Sequence, residues 1–463
     1  MKSEMQFAET AILAFGDFML DLRRRQLVTR TTGEVSRLTG RPMDALLYLA
    51  ARPGVLVSRQ ELLATVWAGV TVEDNSLAKC ISTIRKALGE GPNDNRFIVT
   101  EARRGYRFIA DIAAAQARER GIPARRLSAS ALASQLYVSG WSALTRPGGA
   151  TLQRGLEQLE EAVQIDPQFA LAQACVAAGY ALLGVFGLAP PRVVFPRARA
   201  AALAALAADA TLADAHAQLG HVYTMFELDF TAADACYRRA LELDPNCLVA
   251  LHYMGLQALC AGKFEDAFDA LRRAQAIEPL AANISANIAM GHYYAGAHDE
   301  AILQAEATLE LAPQFAHAQS ILGRSYLRLG DIDRALQLFD TRNGETIGSA
   351  ADVPAALALA GEHAESRVYL DRLLAERRHR YVSAFDVATI YAAQNDVSGA
   401  LDWLETALVE RAQPICALAV DPAFEHLNRE PSFQTILSKL GRQTTVPLLR
   451  TESTPDSSGN GAI

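Results

Sequence analysis

The sequence predicts two unlike folds in one chain, a small α+β domain followed by a long all-α repeat array. Three observations carry that reading. Charge is divided unevenly. Residues 1–111 hold 16 Lys+Arg against 13 Asp+Glu, and residues 112–463 hold 28 against 39, so a +3 head precedes a −11 body within the total of −8. Alanine is divided too, with 10 in the first 100 residues and 75 in the other 363. Finally, Pro245, Pro279 and Pro313 recur 34 residues apart, each at the end of a helical run. A chain of 463 residues, half of them apolar and 21% charged, is too long for one ordinary domain and normal for a globular protein.

Taken in order, the alternating run Phe15-Gly16-Asp17-Phe18-Met19-Leu20-Asp21-Leu22 reads as strands with a turn at Gly16-Asp17. Met43, Leu46, Leu47, Leu49 and Ala50 form a helical face that ends at Arg52-Pro53-Gly54. Ser58 caps a second helix, with Glu61 three residues on in the arrangement of a capping box and Leu62, Leu63, Val66 and Trp67 on its apolar face. A third helix opens near Asp74 or Asn75. Its Leu77, Ile81, Ile84 and Leu88 lie on one stripe, Asn75, Lys79, Ser82, Thr83 and Lys86 lie opposite, and Gly89 ends it. Phe97–Thr100 and Tyr106–Ile109 read as a hairpin with Glu101-Ala102-Arg103-Arg104-Gly105 at its tip. In this scheme Trp67, Tyr106 and Phe108 are core residues, and the run Arg23-Arg24-Arg25 is an exposed strand end or turn.

From residue 134 the repeat dominates. Leu251, Gly255, Gly262, Phe264, Ala267, Leu271 and Ala274 precede Pro279, and Leu322, Gly323, Tyr326, Gly330, Ala335 and Phe339 occupy matching register in the next unit. A 34-residue period with small residues at helix crossings and proline at the exit is the tetratricopeptide pattern. Neither helix of a pair can bury its own apolar face, so pairs stack on one another. The interval from Asp166-Pro167 to Asp209-Ala210 is 43 residues, which implies an insertion of about nine near Leu188-Ala189-Pro190-Pro191. Two weaker units fall at 347–380 and 381–414, and 421–441 reads as a terminal cap. The expected domains are 8–111 for the α+β unit, 112–133 for a linker, 134–441 for a solenoid of seven to eight helix pairs, and 442–463 for a Thr/Ser/Pro/Gly-rich disordered tail.

The first unit resembles the winged-helix DNA-binding domain of OmpR/PhoB-type effectors over about residues 10–110. The resemblance rests on Leu56-Val57-Ser58-Arg59-Gln60-Glu61-Leu62-Leu63 with Val66-Trp67, on Val72–Leu77 running through Ile84–Gly89, and on Arg104-Gly105-Tyr106-Arg107-Phe108. Joined to tetratricopeptide repeats without a receiver domain, it looks like the HilA-type regulators. In its DNA-binding half it is similar to CadC-type regulators, which carry a membrane span. The fold class expected is therefore a winged helix-turn-helix domain followed by an all-α solenoid. By the resemblance, Ser76, Ala78, Lys79 and Thr83 match base-facing positions of the third helix. Asn75, Ser82 and Arg85 match phosphate-facing positions, with Lys86 beside them. Arg103, Arg104 and Arg107 match the wing. One departure stands out, because Ala102 occupies the position where the family often has a minor-groove arginine followed by glycine. Residues 68–71 match a segment that can touch RNA polymerase.

Chemistry of this kind agrees with the residues themselves, since a two-faced helix followed by a basic hairpin suits a major groove and the adjacent backbone. The expected partners are double-stranded DNA, RNA polymerase, a protein or peptide held by the repeats, and a second copy of the chain in a homo-oligomer. No enzyme is expected: there is no P-loop, GxGxxG, GxSxG or HExxH. His216 and His221, five apart, do not share a helix face, so no metal and no cofactor are expected. No stretch reaches a membrane-spanning length, and Met1-Lys2-Ser3-Glu4 leads into no signal-peptide core. The six cysteines form no CxxC and read as buried hydrophobes in a cytoplasmic protein. The competing reading is a tetratricopeptide adaptor whose winged helix binds protein.

Overall fold

The structure is a computed structural model. It describes residues 12–15, 17–21, 24–29, 34–52, 55–67, 74–90, 96–101, 104–109, 127–144, 149–340 and 349–441. By internal packing the chain divides into two compact units, Met1–Leu183 with Val194–Leu219, and Gly184–Val193 with Gly220–Ile463.

The first unit begins with an antiparallel meander of β1 (Ile12–Phe15), β2 (Phe18–Asp21) and β3 (Gln26–Thr29), in which Phe15 pairs with Phe18 across the expected two-residue turn. Arg24 and Arg25 form the next turn, and Arg25 pairs with Asp44 of α1 (Gly40–Ala50). Arg23 lies outside the described residues. After β4 (Leu56–Ser58) and α2 (Arg59–Val66) comes α3 (Asp74–Ala87). The hairpin of β5 (Ile98–Glu101) and β6 (Gly105–Phe108) then completes a second sheet in the order β4-β6-β5. One core joins all of it. Phe15, Leu20 and Leu27 from the first sheet meet Leu46, Leu62, Leu77, Ile81, Ile84, Tyr106 and Phe108. Phe15 packs edge-on to Phe108 at 5.1 Å between ring centroids, a favourable aromatic geometry.

The capping box is half formed. Ser58 Oγ accepts from the Glu61 amide at 3.1 Å, but the Glu61 carboxylate takes the Tyr48 hydroxyl at 2.8 Å, tying α2 to α1. Ser58 itself is paired with Gly105 in the sheet.

The repeat region is a succession of helices that follow one another in pairs along the chain. These are α4 and α5 (Ala131–Leu144, Gly149–Ile165), α6 and α7 (Ala170–Val185, Pro191–Ala208), and α8 and α9 (Ala213–Val222, Phe230–Leu243). Next come α10 and α11 (Leu248–Cys260, Phe264–Ile277), α12 and α13 (Ala282–Tyr294, His298–Leu311), and α14 and α15 (Ala316–Arg328, Ile332–Asp340). The last pairs are α16 and α17 (Asp352–Leu359, His363–Glu376) and α18 and α19 (Ala384–Ala393, Val397–Glu410). Two 3₁₀ turns, Ile415–Ala417 and Pro422–Leu427, and α20 (Pro431–Lys439) follow. Small residues sit where the helices cross. A Cβ on Gly323 of α14 would lie 2.3 Å from the Phe339 ring of α15, so only glycine admits that ring.

The insertion is absorbed as helix. α6 and α7 hold 16 and 18 residues where α10 and α11 hold 13 and 14, and the remainder lengthens the turn between them. The region 112–126 and the tail 442–463 lie outside the described residues.

In the second unit the first helices of successive pairs carry a row of buried and half-buried polar residues. His221 stacks on Tyr253 at 3.9 Å, and Asn287 bridges His252 at 2.6 Å and His317 at 3.3 Å. Arg324 pairs with the buried Asp352 at 2.8 Å, which also accepts from Ser320 Oγ at 2.6 Å. Tyr253 and Tyr293 are packing residues, as is Tyr326, whose hydroxyl donates to Glu306 at 3.3 Å.

Candidate nucleic-acid interface

The third helix carries the site because its two faces are sharply different. Leu77, Ile81, Ile84 and Leu88 are all 0–1% exposed, and each such burial contributes about 1.5–3 kcal/mol. That stripe fixes the rotation of α3 and turns Ala78, Lys79, Ser82, Thr83 and Lys86 outward, where all five are exposed. Ser76 is half-buried at the start of the same face. Asn75 lies on α3, but its side chain is outside the described residues. At 14 residues the helix is about 21 Å long, and its side chains project from a rod slender enough for a major groove about 12 Å wide.

The end of α3 is built as a Schellman cap. Gly89 takes a φ of +65°, the Glu90 amide donates to the Arg85 carbonyl at 2.8 Å, and the Gly89 amide donates to that of Lys86 at 3.2 Å. The cap delivers Glu90 into the interior, where one carboxylate oxygen accepts the amides of Phe97 (2.6 Å) and Ile98 (3.3 Å) at the entry to the hairpin.

Arg85 is turned inward. Its guanidinium donates to the Ile98 carbonyl at 2.7 Å and to Thr100 Oγ1 at 2.9 Å, and its Nε lies 3.9 Å from the second Glu90 oxygen. It pins the helix to the first strand of the hairpin. Thr83 Oγ1 donates to the Lys79 carbonyl one turn back at 2.9 Å, so its free valences are lone pairs.

In the wing, Arg104 is exposed and pairs with Glu101 at 3.2 Å, and Arg107, half-buried, pairs with the other oxygen of the same carboxylate. Ala102 and Arg103 lie outside the described residues, as does the segment 68–71. The hairpin can close on β4 only because residue 105 is glycine. A Cβ there would stand 2.0 Å from the Val57 carbonyl oxygen and 2.9 Å from Ser58 Cα. Trp67, Tyr106 and Phe108 belong to the core, with Tyr106 5% and Phe108 0% exposed.

Sequence reasoning named the exposed face but missed Glu90 and Glu101. The Glu90 bonds reach seven and eight residues ahead across residues that carry no pattern. Glu101 stood in view at the hairpin tip, and its opposition to two nearby arginines was the available signal. Among the described residues no group of His, Cys, Asp or Glu is arranged to hold a metal, and no helix is long and apolar enough to cross a membrane.

Comparison with known proteins finds a different family in each of two parts of the chain. Residues 33–108 match the family model described as transcriptional regulatory protein, C terminal, and residues 213–247 match the tetratricopeptide repeat. A cholera toxin homolog transcriptional activator of Vibrio parahaemolyticus is 36% identical over 106 residues, covering 22% of this chain and 36% of that protein. The cholera toxin transcriptional activator of Vibrio cholerae is 37% identical over 81 residues, 17% of this chain and 28% of that one. The chain thus spans about a third of the length of these relatives. Among solved structures, the Klebsiella pneumoniae RstA DNA-binding domain in complex with RstA box is 31% identical, covering 21% of this chain and 95% of that one at a TM-score of 0.19. The tetratricopeptide protein YrrB is 21% identical, covering 46% of this chain and 97% of that one at a TM-score of 0.27. The chain carries an OmpR/PhoB-type winged-helix domain of the transcriptional-regulator kind, followed by tetratricopeptide repeats.

Proposed function

We propose that this protein is a DNA-binding transcriptional regulator. In this reading α3 enters the major groove, the basic hairpin follows the adjacent backbone, and the repeat region binds a protein or peptide that sets activity or self-association. The observation that carries it is the exposed face of Ala78, Lys79, Ser82, Thr83 and Lys86 set rigidly opposite a fully buried stripe. Lys79 would donate to guanine O6 or N7. Thr83, its proton committed to the Lys79 carbonyl, would accept from an adenine or cytosine amino group. Ser76 and Ala78 would face base edges, Lys86, Ser82 and Asn75 would meet phosphate, and Arg103, Arg104 and Arg107 would supply the wing. Arg85 would act by holding α3 to the hairpin. Residues 8–111 would form the DNA-binding domain and 134–441 the solenoid, joined by 112–133. Contact with RNA polymerase would fall to residues 68–71.

A head of only +3 implies weak monomer affinity that falls steeply with salt. The test is binding of the full chain to its selected DNA site. Thr83→Ala and Lys79→Ala should each weaken specific binding by about 1–3 kcal/mol while leaving the fold intact. If both bind as tightly as the parent, the face is assigned wrongly. If the parent itself binds no DNA at low salt, the adaptor reading replaces this one.

A further inference from the structure

The face that the second unit builds from its first helices is covered by the chain's own C-terminal segment. Residues Ala412 and Ile415 to Val420 are at most 5% exposed, as are Phe424 and Leu427. They are held from several successive pairs. Gln413 Nε2 donates to the Met225 carbonyl at 2.6 Å, within a π-helical turn (Tyr223–Glu227) that extends α8. Leu228, just beyond it, packs on the core containing Ile415 and Phe424. Arg328 of α14 donates to the Pro422 carbonyl at 3.4 Å and pairs with Glu425 at 2.9 Å. The turn Pro422–Leu427 packs on α18. At the middle of this segment Cys416 Sγ lies 3.2 Å from Cys260 Sγ at the end of α10, and 3.7 Å from Met225 Sδ. The two cysteines are 156 residues apart in sequence and neither is bonded in a disulfide.

We propose that Cys260 and Cys416 form an oxidisable dithiol whose disulfide fastens residues 412–427 across the first-helix face of the second unit. The oxidant is a low-molecular-weight disulfide. Cys260, 7% exposed against 1% for Cys416, is the sulfur such a molecule reaches first. The Cys260 thiolate attacks one sulfur of the reagent, forming a mixed disulfide and releasing one reduced thiol. The Cys416 thiolate then attacks Cys260 Sγ, forming the protein disulfide and releasing the second. The protons lost by the two protein thiols are taken up by the two leaving thiolates, so two protein thiols are oxidised and one reagent disulfide is reduced. The sulfurs need approach by only roughly 1 Å to reach the ~2.05 Å bond. The product closes a loop across most of the second unit and holds the segment against any competing peptide.

The test uses the reduced full chain incubated with oxidised glutathione under native conditions. Free thiols are counted after denaturation, and peptides are mapped without reduction. The expected result is a fall from six thiols to four, a linked peptide joining residues 260 and 416, and return to six on adding reductant. Oxidation should also increase hydrogen-exchange protection over 412–427. Six thiols retained by the folded parent, or two thiols lost to any other pairing, would overturn the proposal. Cys416→Ala serves as a second arm: lacking the thiol that resolves the mixed disulfide, it should give no linked peptide and lose at most one of its five thiols, that of Cys260, held as a glutathione adduct. Because the mapping is done on the parent, the proposal stays falsifiable even if that variant folds poorly. The result is independent of DNA binding.

Discussion

Replacing Arg85 with methionine tests whether the end of α3 is set by the hairpin rather than by DNA. The guanidinium makes two hydrogen bonds, to the Ile98 carbonyl and Thr100 Oγ1, and its side chain is 18% exposed beside a Glu90 side chain that is fully buried. Hydrogen bonds from a charged group contribute about 1.5–3 kcal/mol each. Release of the arginine side chain returns up to about 2 kcal/mol of conformational entropy. The net loss is then about 1–4 kcal/mol, confined to the contact between α3 and the hairpin. Hydrogen exchange resolved by segment is the suitable assay, because a chain of several folded parts has no single unfolding free energy. Amides of β5 and β6 that open through this contact should exchange about 5- to several hundred-fold faster, at roughly 1.4 kcal/mol per tenfold. Lys86→Ala is the control. It should leave exchange unchanged and reduce the slope of log affinity against log salt by about 1. If Arg85→Met alters exchange less than about fivefold while weakening DNA binding as Lys86→Ala does, the guanidinium serves phosphate and the structural role assigned to it is refuted.

Gly105→Ala should separate β4 from β6, because its Cβ meets the Val57 carbonyl oxygen at 2.0 Å. The cost should be at least the ~1–3 kcal/mol typical of overpacking, read as lost protection of the Val57 and Tyr106 amides. Gly323→Ala should destabilise the α14–α15 pair by a similar amount, read by urea-dependent exchange in that repeat and relieved by Phe339→Leu. The second unit should lose stability in mild acid. Burial pushes the His221 pKa down to about 3, and those of His252 and His317 down to about 4, from 6.5. A depressed histidine is neutral in both states above pH 6.5. Below it the unfolded chain takes up the proton first, so stability falls from about pH 6.5 towards 4. Asp386 and Asp421, raised by burial, act in the opposite direction as their carboxylates protonate. Melting of the second unit should therefore occur at lower temperature at pH 5 than at pH 7. An unchanged or higher melting temperature at pH 5 would contradict the placement of these imidazoles.

The parts of this protein that repeat or alternate were legible in its sequence. The stripe Leu77, Ile81, Ile84 and Leu88 is a period that survives without knowledge of what it packs on, and the 34-residue spacing of Pro245, Pro279 and Pro313 reports stacking directly. Contacts between distant residues were not legible. Glu61 followed Ser58 at the right interval for a capping box, yet its carboxylate is claimed by Tyr48, thirteen residues back. Pro190-Pro191 marked the place of the nine-residue insertion but not its form: Pro191 is the first residue of α7, where a missing amide costs nothing. Arg85 matched a phosphate-facing position, and only the return of β5 alongside α3 shows that its donors are already occupied. Nothing periodic marks residues 412–427 as the covering of their own repeats.

That covering sets a numerical hurdle for any outside partner. The segment is joined directly to α19, which ends at Glu410, so it competes as a tethered ligand with an effective concentration on the order of millimolar. If the segment alone held its face with a dissociation constant of ~10 µM, a free peptide would bind about 100-fold more weakly than it would to the bare surface. A partner that detached one anchor, such as the Arg328–Glu425 pair, would lower that hurdle for the rest of its own interface, so its contacts would be energetically coupled rather than additive.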